Sequence, residues 1–163
     1  MVIEYLERPG KPRLAYNKFQ PGEQENALPS VMFCGGFRSD MEGTKALFLE
    51  HLCRRDNRPF MRFDYSGHGQ SDGDFNEGTI GRWTEDTLDI LDMMPEGPVL
   101  MVGSSMGGWI ALLAALARPD RGRGIIGIAA APDFTRAIYH DEVTAKQRKQ
   151  LQDFRFTEIS NDS

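Results

Sequence analysis

Four short, largely apolar runs recur along the chain, at residues 30–34, 58–63, 99–103 and 124–130. Each is of strand length and lacks the alternation of a half-exposed strand, so each reads as a buried parallel strand. Between them the apolar residues return every three or four positions. A helix is predicted over about 42–55, with Leu47, Phe48, His51 and Leu52 on one packed face. A second is predicted over about 80–94, with Ile80, Trp83, Thr87, Leu91 and Met94 inward and an acidic opposite face. A third, rich in Ala and Leu, begins near Met106. Before the first run, residues 2–7 and 13–19 read as an antiparallel pair around the turn 8–12, and 21–26 as a polar loop. Strands alternating with helices of this length predict βαβ units and an α/β class, a mostly parallel, doubly wound sheet. Beyond residue 131 the chain is polar, with one helix-like stretch at 141–154 and no further strand.

The 163 residues fit one domain with a sizeable core. A net charge of −5 and the lack of a basic cluster argue against nucleic acid or an anionic membrane surface as partner. No apolar run reaches the ~18 residues of a membrane span. The N-terminus carries neither a secretory nor a transit pattern, which predicts a cytoplasmic location. Cys34 and Cys53 read as free thiols of a reducing compartment. Asp64, Asp72 and Asp74 lack a companion pair of histidines, so neither a metal nor another cofactor is expected.

The chemistry concentrates where the third run meets the third helix. Gly103-Ser104-Ser105-Met106-Gly107 is the G-x-S-x-G pattern of a nucleophile elbow. A serine on so sharp a strand-to-helix turn is held in a strained backbone conformation. The positions two before and two after it are crowded, which selects Gly103 and Gly107. The following helix aims its free N–H groups at charge that develops beside Ser105. Met106 N–H is the first candidate oxyanion donor. The second comes from the loop Gly35-Gly36-Phe37 after the first run, as Phe37 N–H or, beside it, Gly36 N–H. The base is harder to place. Of the three histidines, His51 reads as a packed helix residue, His68 as a solvated turn residue and His140 as a surface residue. Only His140 follows Ser105, and Asp133, the nearest acid before it, lies too early in the fold to complete a triad.

These residues resemble the α/β-hydrolases. The resemblance rests on Gly35-Gly36-Phe37 after one strand and on the loop 64–71 after the next, with its Asp64, Gly67, Gly69 and Ser71. The elbow and the strand at 124–130 complete it. Residues 36–46, 62–67 and 102–109 are more narrowly similar to the branch holding the palmitoyl-protein thioesterase and acyl-glucuronide esterase with its bacterial relatives. The resemblance implies an eight-stranded sheet, a non-catalytic role for the loop 64–71, and hydrolysis of small acyl esters or thioesters through an acyl-enzyme on Ser105. The family places its acid after the seventh strand and its histidine after the eighth, and this chain ends before either. It therefore reads as the N-terminal part of the core over 1–133, with the last two strands missing and the start of a cap or lid insertion over 134–163. The strand at 124–130 is then expected as an open sheet edge, and the chain by itself as nearly inactive. A non-catalytic binding module and a hydrolase of the serine aminopeptidase type are the alternative readings. Nothing in the pattern speaks to oligomeric state.

Overall fold

The computed structural model describes residues 2–22 and 28–154; the polar stretch at 23–26 and the tail beyond 154 lie outside the described residues. The chain divides into two compact units, Met1–Pro132 and Asp133–Ser163.

The first unit is built on a sheet of six strands: β1 (Glu4–Leu6), β2 (Leu14–Phe19), β3 (Ser30–Cys34), β4 (Phe60–Phe63), β5 (Val99–Ser104) and β6 (Gly122–Ile128). Their order is β1-β2-β4-β3-β5-β6. β1 and β2 form the expected antiparallel pair, and β2 also runs antiparallel to β4. From β4 through β3 and β5 to β6 every pairing is parallel. This is the α/β-hydrolase sheet as far as β6. β3 and β5 pair in an unbroken register from Ser30 with Val99 to Cys34 with Gly103, so the two strands end together. Their ends are where the third run and the Gly35-Gly36 loop were expected to meet.

α1 (Thr44–Arg55) covers one face of the sheet, over Val31, Phe33, Phe60 and Val102. Side chains alternate across a strand, so Met32 and Met101 face the other way. α2 (Ile80–Met93) packs against α3 (Met106–Ala117), which in turn packs on β5 and β6. α2 is capped by Thr79, whose hydroxyl accepts from Arg82 N–H at 3.1 Å. It buries Trp83, Thr87 and Leu91 as its spacing predicts.

α1 departs from expectation. Its buried residues are Ala46, Glu50 and Cys53, while Leu47, Phe48 and His51 face solvent. The cause is an ion pair. Glu50 Oε2 accepts from Nε of Arg62, a wholly buried residue of β4, at 2.7 Å. Holding that arginine requires the Glu50 face to turn inward. The same happens on α2, where Asp86 leaves the acidic face and pairs in the interior with Arg8 at 2.6 Å.

β6 begins two residues earlier than the apolar run suggests, because Gly122 already pairs with Val99, whose N–H donates to Arg121 C=O at 2.8 Å. It forms the last strand of the sheet, with Ile125 and Ile126 both exposed. In the second unit the helix expected over 141–154 starts later, as α5 (Ala145–Phe154), and an unexpected helix, α4 (Phe134–Asp141), precedes it. Thr144 starts α5: its amide and hydroxyl both bond the Gln147 side chain, at 2.9 and 2.7 Å.

Candidate active site

Ser105 stands between two buried stretches and is itself exposed. Its backbone lies at φ 52°, ψ −120°, a conformation that L side chains rarely adopt. Surrounding backbone holds it there. Ser105 N–H donates to Ile128 C=O at 3.0 Å, and its C=O accepts from Gly108 N–H at 2.9 Å and Ala131 N–H at 3.1 Å. The flanking glycines are there for space. A β-carbon on Gly103 would press into the Gly108 α-carbon at 2.5 Å, and one on Gly107 would run into the carbonyls of Cys34 and Gly35.

The same crowding brings the β3 loop to the serine. A β-carbon placed on Gly36 would lie 3.5 Å from Cβ of Ser105 and 3.4 Å from Ser104 C=O. Gly36, Phe37, Ser39, Thr44, Lys45 and Ser105 line one cleft of about 310 Å³. Met106 opens α3 directly behind the serine and is buried. The structure thus brings Ser105, Gly36 and Phe37 to one opening, with Met106 buried next to Ser105 in the chain. Phe37 turns its ring toward Phe75 and Trp83, at 5.2 and 6.0 Å between centroids. Arg38 follows at φ 55°, its guanidinium 5.3 Å from the Phe75 ring.

The histidines are distributed differently from expectation. His68 is buried, not solvated: Tyr65, Phe75 and Trp83 surround its ring at 5.1–5.5 Å. Tyr65 and Phe75 flank it in the chain and Trp83 reaches it from α2, an enclosure that hydrophobic periodicity does not register. Burial pushes its imidazole below the ordinary value, against the opposing pull of Ser66 C=O and Asp86. Its Nε2 has no hydrogen-bond partner among the described residues. His51 is exposed on α1, and neither it nor His68 bonds the Ser105 hydroxyl. His140 lies on α4 of the second unit, where Asp133 is the N-cap residue.

Asp64, read as a loop carboxylate, is buried and accepts from Met41 N–H at 2.6 Å and Gln70 N–H at 2.8 Å. Desolvation raises its pKa in spite of those bonds. Cys34 is buried at the end of β3, and desolvation pushes its thiol up to about 12. That thiol is not a nucleophile at neutral pH. No helix among the described residues is long and apolar enough to cross a membrane.

Residues 25–154 match the protein family described as Serine aminopeptidase, S33. Mitochondrial palmitoyl-protein thioesterase ABHD10 of Rattus norvegicus is 42% identical over 148 residues, 91% of this chain and 48% of that protein. The Homo sapiens protein of the same name is 40% identical over 150 residues, 92% of this chain and 47% of that protein. Among solved structures, mouse alpha/beta hydrolase domain-containing protein 10 superposes with a TM-score of 0.84 at 40% identity, covering 93% of this chain and 58% of that one. A hydrolase from Agrobacterium vitis S4 gives the same TM-score at 35% identity, covering 100% of this chain and 66% of that one. The chain spans about half the length of the curated relatives it matches.

Proposed function

The chain belongs to the serine aminopeptidase S33 family of α/β-hydrolases, and on that premise we propose that Ser105 is the nucleophile of an esterase or thioesterase. The observation that carries the reading is the exposed Ser105 hydroxyl on a strained elbow, beside a cleft that Gly36 and Phe37 share. Ser105 Oγ attacks the acyl carbonyl, and the carbonyl electron pair moves onto its oxygen. Met106 N–H and the amide of Phe37, or of Gly36 beside it, hold that oxyanion at the positive end of α3. Collapse of the tetrahedral adduct expels the alcohol or thiol and leaves an acyl ester on Ser105. Water then attacks the same carbonyl through a second oxyanion and releases the acid.

Both steps need a general base for the attacking hydroxyl. Neither His51 nor His68 serves, so turnover asks for an imidazole from outside the Met1–Pro132 unit's described residues. Without one, an elbow and its oxyanion donors retain roughly 10³–10⁴-fold acceleration over water. The thioester reading draws on the relatives near 40% identity, whose names say thioesterase.

The test is a substrate panel of acyl thioesters, acyl esters and aminoacyl amides with the full-length protein and its Ser105→Ala variant. Thioester and ester turnover that vanishes in the variant is the expected result. Turnover that survives Ser105→Ala removes the nucleophile assignment, and turnover confined to the amides moves the protein to the aminopeptidase reading.

A further inference from the structure

We propose that Arg62, Asp64 and Tyr65, at and just past the end of β4, are positioning residues that set the oxyanion donors of the Ser105 site. The inference rests on reading Ser105 as the nucleophile. The loop joining β3 to α1 supplies Gly36 and Phe37, and the bonds within it span two or three residues. Ser39 donates from both N–H and Oγ to Gly36 C=O, at 3.2 and 2.7 Å, and Gly43 N–H donates to Asp40 C=O at 3.3 Å. Such short turns do not fix a loop in space.

Three ties, from Arg62 on β4 and from Asp64 and Tyr65 just past it, do. Tyr65 OH donates to Gly35 C=O at 3.2 Å, on the near side of Phe37. On the far side, the Met41 peptide groups are taken by two buried charged residues. Met41 N–H donates to Asp64 Oδ1 at 2.6 Å, and Met41 C=O accepts from Arg62 Nη1 at 3.0 Å. Phe37 and the left-handed Arg38 are thereby held between anchors on both sides. The anchors are themselves fixed. Arg62 is gripped by Glu50, Glu50 by Arg54 at 2.7 Å, and the second Asp64 oxygen by Gln70 N–H.

Burying a charge is costly, and a core that needed only to fill space would use apolar side chains here. What the charges supply is a fixed peptide. An oxyanion donor works only within a few tenths of an ångström of its ideal distance, so a loop free to drift would lose most of its effect. It also gives a role to Arg62, Asp64 and Tyr65 within the stretch 62–67, which the family resemblance picks out but the chemistry at Ser105 does not use.

The test uses the full-length enzyme with Tyr65→Phe, which deletes one tie and keeps the ring, and Asp64→Asn, which weakens another. The readouts are kcat and KM on an acyl thioester, and affinity for an alkyl boronic acid whose adduct on Ser105 places an oxyanion in the hole. Each folded variant is expected to lose roughly tenfold in kcat and in boronate affinity, with KM within about twofold. Ile90→Val, a buried trim on α2 that takes part in none of the three ties, controls for lost stability and is expected to keep kcat. Unchanged kcat and boronate affinity in Tyr65→Phe overturns the inference, as does an equal loss in Ile90→Val. Should Asp64→Asn fail to fold, Tyr65→Phe decides alone. A wild-type enzyme that neither hydrolyses acyl substrates nor reacts at Ser105 removes the nucleophile reading, and this inference with it.

Discussion

Ser105 and Ile128 are joined by a 3.0 Å hydrogen bond from the amide of the first to the carbonyl of the second. Three residues later, Ala131 N–H returns to Ser105 C=O at 3.1 Å. The end of β6 therefore shapes the elbow as much as β5 does, although it contributes no side chain to the chemistry.

That dependence can be tested through Gly108. A β-carbon there would sit 2.5 Å from Cβ and 3.0 Å from Cα of Ala130, neither of which can swing away. Gly108→Ala is expected to push residues 128–131 off Ser105 and slow its labelling by a fluorophosphonate roughly tenfold. Adding Ala130→Gly is expected to restore the rate. Labelling kinetics of the single and double variants check this; a single variant that labels normally refutes it.

The cage around His68 predicts a pH effect. Burial holds its imidazole below the ordinary value of 6.5, with Ser66 C=O and Asp86 pulling the other way. The folded state then binds fewer protons than the unfolded chain, so the increment of stability that His68 contributes is whole above pH 6.5, shrinks as pH drops toward the folded value and is gone beneath it. Asp64, raised by desolvation, contributes the opposite slope at more acid pH, so the informative quantity is the difference from a variant. His68→Phe is expected to gain on wild type as pH falls, by urea midpoints between about pH 7.5 and 5. A constant difference would show that His68 titrates alike in the folded and unfolded chain, and the burial argument would fall.

Glu50 and Arg62 should behave as one unit. Glu50→Leu alone leaves a buried guanidinium without its carboxylate, at a cost of about 3–5 kcal/mol. In Glu50→Leu/Arg62→Met neither charge of the pair remains, and the Met41 carbonyl left unsatisfied costs about 1–3 kcal/mol. The double variant is thus expected to be more stable than the single one. Equilibrium urea unfolding of both gives the order directly.

The strands and the elbow were legible in the sequence because their signals are local. An apolar run of five residues, or glycines flanking a serine at fixed spacing, needs no knowledge of the rest of the chain. What stayed hidden is paired across distance. The inward face of α1 is set by Arg62 on β4, the burial of Asp86 by Arg8 in the turn before β2, and the burial of His68 by rings at 65, 75 and 83. For Glu50 and Asp86 a polar residue went inside because a partner on another element was waiting, and for His68 because three rings close around it, the most distant in sequence on α2. Periodicity, which counts polar residues as outward, assigns those positions to solvent. The candidate oxyanion residues could be named from the Gly35-Gly36-Phe37 motif, but not the β4 residues that brace them.

The left-handed backbone at Ser105 has a thermodynamic consequence. A non-glycine residue so placed costs about 1–3 kcal/mol, which every copy of the protein carries whether or not substrate is present. Replacing Ser105 by Ala keeps the β-carbon and the cost; replacing it by Gly removes both. Ser105→Gly should therefore melt higher than Ser105→Ala, reversing the usual ranking of those two residues by about 1 kcal/mol or more. The position that makes the chain useful is one where it stands below its own stability optimum, and selection for robustness alone would erase the serine first.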